Sequence, residues 1–230
     1  MKNGIKEFQF EKILNKHLNS EEPWDTTKSF YMSDMGKCLR MRWLKRKGFE
    51  CEPFSNRLKR IFSIGKLGHL YLQEMLEKQG VLIGAEIPVQ WQEYELHGRV
   101  DALVNIEKYL VYDFKFTHSR KILIKKYDTD DLHYIKQVLT YVKRLQKEYP
   151  DLKEARLVYV SRDDWLIKEV SYELTPEWDK EIEEEMQALW GYWTANDMPP
   201  ELSSDDQMIW QCRFCNYKQH CPNKLKGGKK

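Results

Sequence analysis

Hydrophobic positions along this chain follow two spacings that take turns. Over Leu58–Gln79 apolar residues recur every three or four positions, the mark of an amphipathic helix, and Gly80 follows where a helix-ending glycine belongs. Three stretches then read as strands: Ile87–Trp91, Leu96–Val104 and Tyr109–Phe116, with Asn105–Lys108 as the turn between the last two. Asp131–Glu148 carries a second helical stripe (Ile135, Val138, Val142, Leu145) and is closed by Pro150. Arg156–Ser161 and Leu166–Tyr172 predict a strand pair across an Arg162–Trp165 turn, and Pro176–Trp193 an acidic helix. Upstream, Ser33–Lys47 reads as a helix capped by Ser33 or Asp34, while residues 1–30 mix helical spacing with a loop around Pro23. Asn196–Asp206, with Pro199 and Pro200, reads as a linker. The order helix, three strands, helix, two strands, helix predicts an α/β fold, a sheet with helices packed on it.

Composition narrows the class. With 230 residues, 41% hydrophobic, 13% aromatic and eight Trp, the chain can fill a sizeable core, which excludes disorder for most of it. No apolar run reaches the roughly 18 residues of a membrane span, and the charged start lacks a secretory signal, so the expectation is a cytoplasmic protein without a membrane partner. A net charge of +2 names no partner. The distribution says more: Lys37, Arg40, Arg42, Lys45, Arg46 and Lys47 stand together without an acid, and Arg57, Lys59, Arg60, Arg120, Lys121, Lys125 and Lys126 follow. Acids gather over 177–185. Such a basic stretch suits a polyanion, though solvated helix faces look the same.

Candidate chemistry lies in the middle strands. Along a strand, residues two apart share a face, so Asp113 and Lys115 point one way and Tyr112, Phe114 and Phe116 the other. If the turn sets Asp101 opposite Asp113, two carboxylates and an ammonium converge; a slip of one residue separates them. Carboxylates that close repel unless a cation joins them, and Mg²⁺ or Mn²⁺ with oxygen ligands is the natural occupant. Gly65 and His69 share a helix face, where the glycine would let backbone or metal approach and the imidazole could complete a metal shell. Gln137 and Tyr141 form a polar pair of the same spacing. Each feature alone also fits an ordinary structural residue. Of five cysteines, Cys212, Cys215 and Cys221 cluster, and a four-thiolate site needs Cys38 or Cys51 from far upstream. Zinc is the rival to an iron–sulfur cluster, but zinc cysteines usually come as two close pairs.

Taken in order, Gly65-Lys66-Leu67-Gly68-His69, Gly98-Arg99-Val100-Asp101, Asp113-Phe114-Lys115 and Gln137-Val138-Leu139-Thr140-Tyr141 resemble the motifs of the PD-(D/E)xK nuclease superfamily in its RecB-like branch. An upstream cysteine with C-x2-C-x5-C near the end resembles the iron–sulfur members, the CRISPR-associated exonucleases and their stand-alone and viral relatives. Ser33…Cys38-Leu39-Arg40 is similar to their opening segment, which often has Pro where Leu39 stands. The third motif here begins with Asp, where these relatives often have Glu.

The resemblance implies a restriction-endonuclease-like core, a mixed central sheet flanked by helices, over about 56–195, within one domain of 1–230. A four-cysteine subdomain of about 30–50 and 205–223 would join the chain ends. His69, Asp101, Asp113 and the Phe114 carbonyl would bind Mg²⁺ or Mn²⁺, with Asp101, Asp113 and Lys115 catalytic. Cys38, Cys212, Cys215 and Cys221 would hold a 4Fe–4S cluster (Zn²⁺ as the alternative), leaving Cys51 spare. Gln137 and Tyr141 would hold DNA near the metal. Arg40, Arg42 and Lys45 would line the strand's path, and Trp43, Trp91 or Tyr141 would stack on a base. The expected activity is end-directed hydrolysis of DNA, single-stranded or with free ends. A helicase, recombination or adaptation partner and an oligomer are compatible with it. A non-catalytic DNA-binding subunit and a structure-selective endonuclease are the alternatives.

Overall fold

A computed structural model of the chain describes residues 9–20, 29–124, 131–203, 206 and 208–222. In chain order the elements are α1 (Gln9–Ser20), β1 (Phe30–Tyr31), α2 (Leu39–Arg46), α3 (Asn56–Lys78), β2 (Leu82–Trp91), β3 (Leu96–Ile106) and β4 (Lys108–Thr117). They continue as α4 (Ser119–Ile124), α5 (Leu132–Leu145), β5 (Glu154–Ser161), β6 (Ile167–Glu173) and α6 (Pro176–Thr194). Short 3-10 turns cover Met32–Asp34 and Ile209–Phe214. The sheet is mixed: β2–β3, β3–β4 and β5–β6 pair antiparallel, β4–β5 and β1–β3 parallel. This is the restriction-endonuclease-like arrangement.

Strand alternation sends side chains into two cores. On one face Leu103, Val111, Ala155 and Leu157 meet the α5 stripe (Ile135, Val138, Val142, Leu145) and Ile182, Met186 and Leu189 of α6. On the other, Ala102, Val104, Leu110, Tyr112, Phe114, Val158 and Val160 meet Leu72 and Leu76 of α3. Helices α3 and α6 are capped by side chains: Ser55 Oγ accepts the Leu58 N–H at 3.3 Å, so α3 starts two residues before the expected Leu58, and Thr175 Oγ1 accepts that of Trp178 at 3.4 Å, with Pro176 opening α6 as expected.

Three expectations change. The helix expected over 33–47 starts only at Leu39, because Gly36 turns the chain at φ +68°, and a Cβ there would lie 2.7 Å from His133 Cα. Neither Ser33 nor Asp34 caps it; Cys38 precedes its first turn, without a side-chain cap. The Asn105–Lys108 turn shrinks to Glu107 alone, at φ +65°, with Asn105 and Ile106 paired to Tyr109 and Lys108. The strand expected from Ile87 begins at Leu82: burial alternates there, but Leu82-Ile83-Gly84-Ala85 has no polar residue to make the alternation legible in the sequence. Lys125 and Lys126 lie outside the described residues.

Candidate active site

The site is built where β3 and β4 part. β2 pairs with β3 over its whole length, while on the other edge β4 pairs only as far as Ala102–Tyr112 and β1 takes Leu96 and His97. Between them, Gly98–Asp101 faces an open fork. Asp101 stands one step past the Ala102–Tyr112 pair, opposite Asp113, and its Oδ2 accepts the Phe114 N–H at 2.8 Å. The carboxylate thus takes the place of the next ladder bond.

Asp113 is buried to 1% exposure, and Lys115, on the same face, places Nζ 2.5 Å from its Oδ2. That contact pairs the buried carboxylate directly with a protonated amine. Burial pushes the Asp113 carboxyl up, Lys115 pulls it back, and the Asp101 charge raises it again, leaving it at about 6. The Lys115 ammonium is disfavoured by burial, yet Asp113 outweighs this and raises it, so it keeps its proton. It lies 4.3 Å from the Tyr134 ring centre and donates to Gln137 Oε1 at 3.3 Å; Gln137 Nε2 in turn donates to the Tyr141 hydroxyl at 3.0 Å.

From α3, His69 closes the other side. Its Nε2 donates to the Phe114 carbonyl at 2.9 Å and its Nδ1 lies 3.4 Å from Asp101 Oδ2. Burial alone would lower this imidazole; Asp101 outweighs it and raises the pKa. The donor atoms of His69, Asp101 and Glu86 lie within 4.8 Å of one another. With the Asp113 carboxylate and the Phe114 carbonyl beside them, these residues fit a divalent cation: hard oxygen donors, one imidazole and excess negative charge.

Glu86 and Gln73 carry no motif. Glu86 falls opposite Asp101 on β2, at φ +52°, with Arg99 Nη1 3.5 Å from its Oε2. Gln73, one helical turn beyond His69, donates to Glu86 Oε1 at 3.1 Å and to the Asp101 carbonyl at 2.8 Å. The spacing from His69 was the one signal for it. The glycines also exchange roles. Nothing lies within 4 Å of a Cβ placed at Gly65, whereas at Gly68 it would meet Phe116 Cζ at 2.2 Å. At Gly98 it would meet Tyr141 Cε1 at 2.6 Å and Met32 Sδ at 2.7 Å.

Several expected DNA contacts face inward. Gln137 and Tyr141 are buried and line up behind Lys115. Arg42 is buried, with Nη1 2.6 Å from Glu185 Oε1 and Nη2 against the sulfurs of Met35 and Met186. Lys45 pairs with Asp34 at 2.6 Å, and Arg40 with Glu201 at 3.3 Å and the Pro199 carbonyl at 2.7 Å. Lys37 also pairs with Asp34, Arg46 with Glu95, and Lys47 with Asn196. Five of the six cations of the basic stretch are therefore paired with the chain's own acids, and Lys47 with an amide. Trp43 and Trp91 are core residues, like Tyr141, and have no face to offer a base.

The cysteines meet where the two ends come together. Cys38 N–H donates to Gln211 Oε1 at 3.1 Å, Gln211 Nε2 to the Gly36 carbonyl at 3.2 Å, and Glu52 N–H to the Asn216 carbonyl at 2.8 Å. Burial raises the thiols of Cys38, Cys212, Cys215 and Cys221, and charge from neighbouring thiols adds to this for the last three. Cys51 is exposed and interacts instead with Tyr217.

Compared with known proteins, the chain matches the PD-(D/E)XK nuclease superfamily over residues 34–222. Among curated proteins none matches. Of solved structures, SSO0001 superposes with TM-score 0.56 at 19% identity, covering 94% of this chain and 95% of that one. LHK-Exo, an alkaline exonuclease from Laribacter hongkongensis crystallised with dAMP, gives TM-score 0.52 at 18% identity, covering 74% and 90%. An exonuclease candidate from Eubacterium rectale gives 0.54 at 11%, covering 92% and 95%.

Proposed function

The chain belongs to the PD-(D/E)XK nuclease superfamily, and from that premise we propose that this metal-dependent nuclease is an exonuclease on DNA that is single-stranded or has free ends, stapled by a 4Fe–4S cluster. The carrying observation is the fork itself. Asp101 and Asp113 stand face to face where β3 and β4 part, and a protonated Lys115 lies 2.5 Å from the buried Asp113 carboxylate.

His69, Asp101, Asp113 and the Phe114 carbonyl would hold Mg²⁺ or Mn²⁺. A divalent ion bound there polarises the phosphoryl oxygen and lowers the pKa of a water. Lys115 holds its proton 2.5 Å from Asp113, so its charge is available to offset the extra negative charge of a five-coordinate phosphorus. Gln137 and Tyr141 fix where that ammonium points, as positioning residues. Hydrolysis from ends agrees with the named activity of LHK-Exo, whose fold this chain shares.

The reading takes 1–230 as one nuclease domain, with its core over about 56–195. Residues 30–50 and 205–223 would form the cluster portion around Cys38, Cys212, Cys215 and Cys221. Cysteine spacing along the chain supports iron–sulfur over zinc: one thiol far upstream with C-x2-C-x5-C near the end differs from the two close pairs usual for zinc.

The test is anaerobic purification followed by incubation of end-labelled single-stranded DNA with Mn²⁺, beside the Asp113→Ala variant. Stepwise shortening by the wild type alone, with closed circles left intact, is the expected result. Cutting of circles would replace the exonuclease by an endonuclease. No cutting by a cluster-loaded wild type would turn the reading to a DNA-binding subunit.

A further inference from the structure

Beside the fork lies a cleft of about 270 Å³ that the motifs touch only at Leu67 and Gly68, walled also by Tyr71, Phe116, Trp165 and Arg162. That volume is near the lower end of small-molecule sites, about 300–1,000 Å³, and suits one planar ring. Resting on the nuclease reading, we propose that this cleft is a nucleobase-stacking site for the DNA strand, with Arg162 taking a backbone phosphate.

Phe116 separates the cleft from the catalytic centre by one ring. Phe116 packs 5.7 Å from the His69 ring on one side and 6.1 Å from Trp165 on the other, and Gly68 gives it room. Tyr71 meets Trp165 edge-on at 5.2 Å. Tyr71 is 59% and Trp165 46% exposed, so both offer ring faces to solvent. Trp165 also sits at φ +60°, a region costly for a bulky side chain. The turn that holds it there is tied down: Ser161 Oγ accepts from Asp163 N–H at 3.0 Å, and Asp164 Oδ1 from Leu166 N–H at 3.2 Å.

Charge selects the occupant. The Arg162 Nε is buried without a hydrogen-bond partner, and among the described residues no carboxylate lies within ion-pair distance of its guanidinium. An aromatic slot with an unsatisfied cation at its lip matches a base with its adjoining phosphate. Every base has a stacking face, so such a slot binds without reading sequence.

The measurement is anisotropy of a labelled oligothymidylate and of an abasic strand with the same phosphates, with Ca²⁺ added in place of Mn²⁺. The wild type should bind the base-bearing strand about 5- to 150-fold tighter, the range of one aromatic stack. Trp165→Ala and Tyr71→Ala should each shrink that ratio towards one without lowering the melting temperature, and Trp165→Tyr should keep it. Arg162→Gln should weaken both strands alike and reduce the salt slope by about one. Equal binding of the two strands by the wild type, or an unchanged ratio in Trp165→Ala, overturns the site. Cleavage with Mn²⁺, run in parallel, keeps the readings apart. Cutting without base dependence sinks the cleft alone, and base-dependent binding without cutting sinks the nuclease.

Discussion

At the residue scale the site depends on residues packed behind its charged groups. Gln137 accepts from Lys115 and donates to Tyr141, so it fixes the ammonium relative to the Asp113 carboxylate. Replacing Gln137 with Ala should lower turnover about 10- to 100-fold, the usual effect of removing a supporting partner, while strand affinity stays unchanged. A matched loss of affinity would make Gln137 a substrate contact instead. Gly98 is a second such residue. A methyl group there would overlap Tyr141 Cε1 and Met32 Sδ, so Gly98→Ala should cost about 1–3 kcal/mol in urea unfolding. An unaltered midpoint would show that Tyr141 yields freely. Neither role was legible in the motifs, which mark both positions but say nothing of their contact across the fold.

At the scale of elements, the basic stretch shows how a local pattern can mislead. Lys37 to Lys47 carry six cations without an acid, yet Asp34, Glu95, Glu185 and Glu201 reach them from four other places. Asp34 is the clearest case. Burial pushes its carboxyl up, but Lys37 and Lys45 outweigh that and take it from 3.8 down to about 2. Since the folded value lies below the unfolded one, this stability is fully present above about pH 4 and is lost as pH falls through about 2, to a total of about 2 kcal/mol. Unfolding midpoints of wild type and Asp34→Asn across that range should converge at the acid end. Parallel curves would mean the pairs contribute nothing. The α6 start was readable from local chemistry, and Thr175→Ala should lower stability by about 1 kcal/mol, measured by thermal melting.

For the whole molecule, segments far apart in the chain lie together around four thiols, and backbone bonds such as Glu52 N–H to the Asn216 carbonyl link them. A cluster there closes a loop of most of the chain, which restricts the unfolded state. Cys215→Ala should therefore lower melting temperature and DNA binding together and remove the visible absorption of the cluster; Cys51→Ala should do none of these. Unchanged melting in Cys215→Ala would end the staple role. Among the described residues no helix is long and apolar enough to cross a membrane.

The three long helices α3, α5 and α6, most of the strands and the shared face of Asp113 and Lys115 were determined by the sequence alone, because periodicity is a property of neighbours in the chain. The short α4 was not, and the ordered motifs singled out His69 and Asp101 without placing them together. Only the tertiary structure decided that the strands part just after Ala102, so that Asp101 meets Asp113 across a fork. It alone brought Glu86 and Gln73 to the same place and turned Arg42 inward to Glu185. It alone exposed Tyr71 and Trp165 while burying Trp43 and Trp91. The physical reason is distance along the chain: strand register, ion pairing and exposure depend on partners far apart in sequence, which no local pattern encodes.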